Sequence, residues 1–182
     1  MSVLQQVFKF LISLGVVVGL RLLPHPPNVE PIMATMMPFS KRWGWLAGMI
    51  FCLVAILGYD FLTGTFGSWS YMTAGTYAVI GAVAGLVLRG EKNTIWHYVV
   101  FSVVATLFYD AVTGIGMGVL LFKMPLMMTI TGQIPFTLYH LAGNIVLAAT
   151  LSPLLHRWVM ANPKLEVSSI LKIFKPATEE KM

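Results

Sequence analysis

Two aspartates sit inside apolar runs, fifty residues apart and in nearly the same sequence. Residues 51–64 read FCLVAILGYDFLTG and residues 101–114 read FSVVATLFYDAVTG, identical at eight of fourteen positions. Each copy ends in Tyr-Asp-x-x-Thr-Gly, which places Asp60 beside Tyr59 and Asp110 beside Tyr109. An acid at the centre of a membrane helix costs about 2.5–3.5 kcal/mol on insertion scales, so such acids turn toward a bundle interior and mark substrate or ion paths. Asp60 and Asp110 are therefore candidate binding groups for a substrate, a proton or a cation. A structural role fits the same residues. Each carboxylate then bonds a neighbouring Tyr or Thr hydroxyl or caps the next segment, and a duplicated motif is a duplicated packing device.

Other polar residues gather near these acids. Arg21 and Glu30 flank Pro24-His25-Pro26-Pro27, a stretch that cannot be helical. The planar fork of Arg21 suits a substrate carboxylate or one of the acids, or it snorkels to the headgroups. His140 and Asn144 are spaced i, i+4 and share one helix face, with Gln133 and Thr137 extending the stripe. Such a stripe lines a cavity, or it is interhelical hydrogen-bond glue worth about 0.6 kcal/mol per bond. Tyr77 and Tyr139 are candidate stacking groups for a flat ring. Trp69 and Tyr71 fit the aromatic belt of a membrane interface better. The methionines at 33, 36, 37, 124, 127 and 128 read as adaptable packing.

The absences narrow the chemistry. The chain has no Walker A sequence, no His-Glu-x-x-His and no Gly-x-Ser-x-Gly. Its histidines at 25, 97, 140 and 156 are scattered over both predicted faces, and its one cysteine, Cys52, lies in an apolar run. No metal centre, cofactor or enzyme activity is predicted.

The elements that must position these residues are membrane helices. Of 182 residues, 57% are hydrophobic and 10% charged, with a mean hydropathy of +0.79. Soluble domains carry about 25% charge. A bilayer crossing needs about 20 apolar residues, and the candidates are 3–23, 43–63, 71–88, 96–114 and 131–158. The first has no small-residue cleavage site and reads as a retained helix. Between the first two, residues 24–40 predict a short helix capped by Asn28. The reading is an all-α polytopic membrane protein, a six-helix bundle with a short second helix, in one domain over 1–162. The alternative is five spans, if the short helix only dips in.

The net charge of +5 sits in clusters: Lys41 and Arg42, Arg89 and Lys92, and Arg157 with Lys164, Lys172, Lys175 and Lys181. The positive-inside rule makes that face cytoplasmic, together with the tail 163–182, and with six spans both termini are inside. The acids then lie toward the outer face. The repeat predicts two helix-loop-helix units in parallel orientation, about 43–90 and 95–158, a known transporter device. It also predicts that residues 115–130 are an outer insertion able to act as a lid. Gly15-xxx-Gly19, and Gly81 with Gly85, permit close helix approach, within the chain or, for the first pair, against another membrane protein.

The stretch Leu20-Arg21-Leu22-Leu23-Pro24-His25-Pro26-Pro27-Asn28-Val29-Glu30-Pro31, followed by the two Tyr-Asp helices, resembles the substrate-binding S components of energy-coupling factor (ECF) transporters. The resemblance covers about residues 5–160 in size, span number and inward termini. It implies a six-helix fold in the cell membrane and a high-affinity site near the outer face. It implies a vitamin, a similar micronutrient or a precursor as ligand. It further implies a separate membrane partner and two ATPases, which agrees with the missing Walker A sequence. The family's first helix commonly carries an Ala-xxx-Ala coupling face, and Gly15-xxx-Gly19 is the nearest match here. The expected function is a substrate-capture subunit, its site lined by Asp60, Asp110, Arg21, Glu30, His140, Asn144, Tyr77 and Tyr139. Rival readings are an ion-coupled carrier using Asp60 and Asp110, and a membrane scaffold without a ligand. An intramembrane acid dyad lacks the other parts of an active site.

Overall fold

A computed structural model describes residues 3–24, 28–90 and 94–165. His25, Lys92 and the predicted basic tail beyond residue 165 lie outside the described residues. Every regular element among the described residues is helical: α1 (Val3–Leu22), α2 (Pro31–Trp43), α3 (Trp45–Leu62), α4 (Ser68–Val87), α5 (Ile95–Tyr109), α6 (Met117–Leu120) and α7 (Leu126–Leu155). A π-helical stretch, Asp110–Gly116, joins α5 to α6, and another, His156–Met160, continues α7. Among the described residues, four helices are long and apolar enough to cross a membrane: α3, α4, Ile95–Leu120 and Leu126–Met160. α1 matches α4 in length, but Lys9, Arg21 and the glutamines at 5 and 6 dilute its apolarity. Large apolar side chains cover the outside of the bundle, Leu11, Val104 and Trp158 among them.

α2 is the centre of this arrangement. It packs against α1, α3, α4, α5 and α7, and residues 31–40 are all buried. Pro31 starts it, because a proline at the first helical position loses no hydrogen bond. The predicted cap Asn28 lies outside the helix, in the left-handed region at φ 66°, and Glu30 takes the capping position. At 1.5 Å per residue the helix is roughly 20 Å long. Pro38 lies inside it and has no N–H for the carbonyl four residues back, that of Ala34. Ser152 of α7 fills this gap, its hydroxyl donating to Ala34 O at 2.7 Å. Ser152→Ala is expected to cost about 1–2 kcal/mol, read as a lower unfolding temperature in detergent. An unchanged temperature would mean that Ala34 is served by another group.

Glycines set the closest helix approach. A Cβ on Gly81 of α4 would lie 2.6 Å from the carbonyl oxygen of Gly48 in α3, and one on Gly85 would meet the backbone of Trp45. Gly15 and Gly19 behave differently. Neither has a neighbour within 4 Å of a Cβ position, so the first pair does not pack inside the chain. α1 is held instead through buried Lys9, which donates to Met160 O at 3.0 Å and Asn162 O at 3.2 Å, and through Arg21 in its last turn.

The two Tyr-Asp copies share one bond and then part. Thr63 donates to Tyr59 O, and Thr113 to Tyr109 O, each at 2.8 Å. The first copy turns at Gly64 (φ 70°), whereas the second continues as a helix to Leu120. The predicted lid over 115–130 is therefore mostly helix, with only a short turn around Lys123 (φ 57°) before α7. Among apolar surroundings, an open backbone at Gly114 and Gly116 costs more than a loosely wound π-helix.

The ends of the bundle differ in chemistry. At one, Lys41, Arg42, Gly90 and His156 line a cavity of about 350 Å³, and the Arg89 guanidinium lies beside Gly44. Toward the other lie Arg21, Glu30, Tyr59, Asp110 and His140.

Candidate functional site

A cavity of about 130 Å³ opens among the ends of α1 to α5 and α7, opposite the basic end. Its first polar wall comes from the proline turn. Arg21, in the last turn of α1 where a cation suits the helix dipole, meets Glu30 with Nε 3.1 Å from Oε2. Its guanidinium lies 3.8 Å from the Tyr59 ring centroid, and the Tyr59 hydroxyl donates to Arg21 O at 3.3 Å. Arg21 is thus committed to Glu30 and Tyr59 and pairs with neither Asp60 nor Asp110. Its Nη1 remains buried and without a hydrogen bond.

The second polar wall joins α7 to the start of the π-helical stretch. His140 Nδ1 lies 2.7 Å from Asp110 Oδ1, and both side chains are almost wholly buried. With the carboxylate ionised, Nδ1 carries the hydrogen, and in the neutral ring Nε2 is then the acceptor nitrogen. His140 lines the cavity, while its Nε2 and Asp110 Oδ2 have no hydrogen-bond partner. One turn deeper, Asn144 Nδ2 donates to Thr106 Oγ1 at 2.8 Å, and Asn144 Oδ1 is unpartnered. Asn144 supports the pair from below and does not line the cavity.

The remaining walls are rings and aliphatic side chains. Tyr77 of α4 and Tyr109 of α5 have centroids 4.6 Å apart at 47°. Tyr109 and Phe136 meet the His140 ring edge-on, at 5.5 and 5.7 Å. Ile32 and Ile56 contribute apolar surface, and Asn28 and Thr73 lie at the wall. The Tyr77 hydroxyl is buried without a hydrogen bond.

The structure therefore brings together Arg21, Glu30, Tyr77 and His140 at the cavity, with Asp110 and Asn144 directly behind. Two predicted site residues lie away from this cavity. Asp60 is buried in α3, but it lines no part of the cavity, and its carboxylate forms no hydrogen bond or ion pair among the described residues. Tyr139 is 69% exposed on the bundle surface. One residue along a helix turns a side chain by roughly 100°, so burying His140 turns Tyr139 away. Gln133 bonds Thr137 at 3.3 Å and rests on Gly114, so the upper stripe packs against the π-helical stretch. Trp69 and Tyr71 are exposed.

Thr106, Tyr109 and Phe136 were not singled out as site residues from the sequence. Thr106 was detectable: it precedes Asp110 by four residues, on the face that meets the His140–Asn144 stripe. Among the described residues no group of three or more His, Cys, Asp or Glu side chains could hold a metal ion. No protein-family model matches the chain, and no curated protein or solved structure matches it either.

Proposed function

We propose that the chain is the substrate-capture subunit of an ECF-type importer, taking a vitamin-like micronutrient or precursor from the outer face of the cell membrane. α1 to α5 and α7 make six crossings, with α2 the short central one. The basic end faces the cytoplasm by the positive-inside rule, and the cavity faces outward. α3–α4 and α5–α7 are two copies of one helix-loop-helix unit. A separate membrane partner and its ATPases supply the energy.

The observation that carries this reading is the set of unmet polar atoms at the cavity. Tyr77 OH, His140 Nε2 and Arg21 Nη1 are all buried and unbonded. Each such group costs about 1–3 kcal/mol, a cost that a ligand with matching groups removes. The decisive experiment is thermal unfolding of the detergent-purified protein against vitamins and their precursors. A ligand at a thousandfold excess over Kd stabilises by about 4 kcal/mol, and His140→Ala should abolish that shift. A folded protein that no compound stabilises would overturn the reading.

The open face of α1 is where the partner docks. Gly15→Leu or Gly19→Leu is expected to weaken the complex with the coupling protein at least tenfold, about 1.4 kcal/mol. Ligand binding should stay unchanged and the unfolding temperature should not fall, because no described atom outside the local turn of α1 lies within 4 Å of either Cβ position. Co-purification from membranes reads the first quantity. Loss of stability instead would assign these glycines to the bundle.

One observation favours a second reading, the ion-coupled carrier. Asp110 Oδ2 in the π-helical stretch, Asn144 Oδ1 in α7 and Ser102 Oγ in α5 are buried and unpartnered, polar groups that suit a water-assisted proton path. Uptake by the purified chain in liposomes, without ATPases, would select it.

A further inference from the structure

We infer that the ligand is a single flat nitrogen heterocycle, neutral or cationic, bound edge-on to His140 and Tyr77. This inference rests on the capture reading above and narrows it.

Size is the first argument. The cavity holds about 130 Å³, and an apolar cavity of about 150 Å³ accommodates benzene. One six-membered ring with small substituents fills the space, whereas a fused-ring vitamin exceeds it. Shape agrees. The Tyr77 and Tyr109 rings stand 4.6 Å apart at 47°, and Phe136 stands edge-on to His140. Flat walls favour a flat guest, through stacked or edge-to-face contacts.

The polar groups specify the guest's edge. Tyr77 and His140 are each 2% exposed, and the Tyr77 hydroxyl and His140 Nε2 have no hydrogen bond. Arg21 Nη1 is also unbonded and can only donate. A tyrosine hydroxyl donates or accepts, and Nε2 accepts when the ring is neutral. A guest carrying both a ring nitrogen acceptor and an amine or amide donor satisfies all three. Charge excludes anions. Arg21 contributes +1, and Glu30 and Asp110 each −1, so with neutral His140 the site sums to −1, and with protonated His140 to zero. A carboxylate or phosphate guest meets no excess of positive charge there. Arg21 is already engaged with Glu30 at 3.1 Å.

The test is isothermal titration of the full detergent-purified chain with three sets of probes. Nicotinamide, 2-aminopyridine and 4-aminopyrimidine are the neutral or cationic single rings. Nicotinate is an anionic single ring of nearly the same shape, and riboflavin and pterin are the fused rings. At least one ring of the first set should bind, at least tenfold tighter than nicotinate. Tyr77→Phe, which removes only the hydroxyl, should weaken it tenfold or more without lowering the unfolding temperature. Binding of a fused ring or of nicotinate alone would overturn the ligand class and leave the capture reading standing. No binding by any probe to a folded protein would overturn this ligand class, and the capture reading would fall with it only if the vitamin panel also gives no stabilisation.

Discussion

Asp110→Ala is expected to destabilise the folded protein by about 2–3 kcal/mol, the cost of removing the charged acceptor of a buried hydrogen bond. The loss comes less from the vanished bond than from what remains. His140 is buried against Tyr109 and Phe136, and without the carboxylate its Nδ1–H has no acceptor. Asp110→Asn keeps an acceptor oxygen for that hydrogen, so its cost should be about 1–2 kcal/mol. Asp60→Asn should change stability by less than about 1 kcal/mol, since no bond of its carboxylate is broken. Ligand binding should follow the same order, abolished at Asp110 and retained at Asp60. Denaturant unfolding of the three variants in mixed micelles measures the first series, and titration calorimetry the second. Equal losses at Asp60 and Asp110 would show that the pairing with His140 is not what sets them apart.

That difference explains what could and could not be read from the sequence. The repeat made Asp60 and Asp110 look equivalent, because their own helices are so alike. Their environments are set by the helices that follow. Aligning Tyr77 with Tyr139 and Gly81 with Gly143 places Ala78 and Ala82 where the second unit has His140 and Asn144. The first unit therefore has no imidazole to offer Asp60, a signal present in the sequence but visible only once the units are superposed. Tyr77 and Tyr139 occupy matching positions in this superposition, yet Tyr77 is buried and Tyr139 is exposed.

The longest elements were legible because a bilayer crossing imposes a length and a composition that a hydropathy scan detects. α3, α4 and α7 follow from that alone. The far end of α5 did not, since Gly114 and Gly116 read as breakers and only the apolar setting keeps them helical. α2 was legible as a short helix but not as the centre of the bundle. Thr35, Pro38 and Ser40 do not announce burial, and what makes Pro38 tolerable there is Ser152, over a hundred residues away. The Arg21–Glu30 pair was within reach of sequence reasoning, as both flank one turn. Pairing Asp110 with His140 needed the packing of α5 on α7.

The close approach of α3 and α4 makes Gly81→Val the second large-effect substitution, with an expected loss of about 3 kcal/mol or more. The obstacle is backbone, not a side chain that can swing aside. The added Cβ would stand 2.6 Å from Gly48 O and 2.8 Å from Gly48 C. Relief requires the two helices to separate. In a bilayer no hydrophobic force restores the contact, because lipid tails cover the exposed surface as well as a helix does. Gly75→Ala on the same helix is the control. No described atom outside the local turn of α4 lies within 4 Å of its Cβ position, and helix propensity alone would make it neutral or stabilising by up to about 1 kcal/mol. The consequence reaches the cavity, because Tyr77 sits one turn from Gly81 on α4. Separating the helices shifts the Tyr77 ring from Tyr109 and carries its hydroxyl away from the edge of the proposed ligand. Gly81→Val should therefore lose ligand binding together with stability, whereas Tyr77→Phe loses binding alone. If Gly81→Val unfolds at the same denaturant concentration as the parent, the helices are not packed backbone to backbone and Tyr77 is not positioned by that contact.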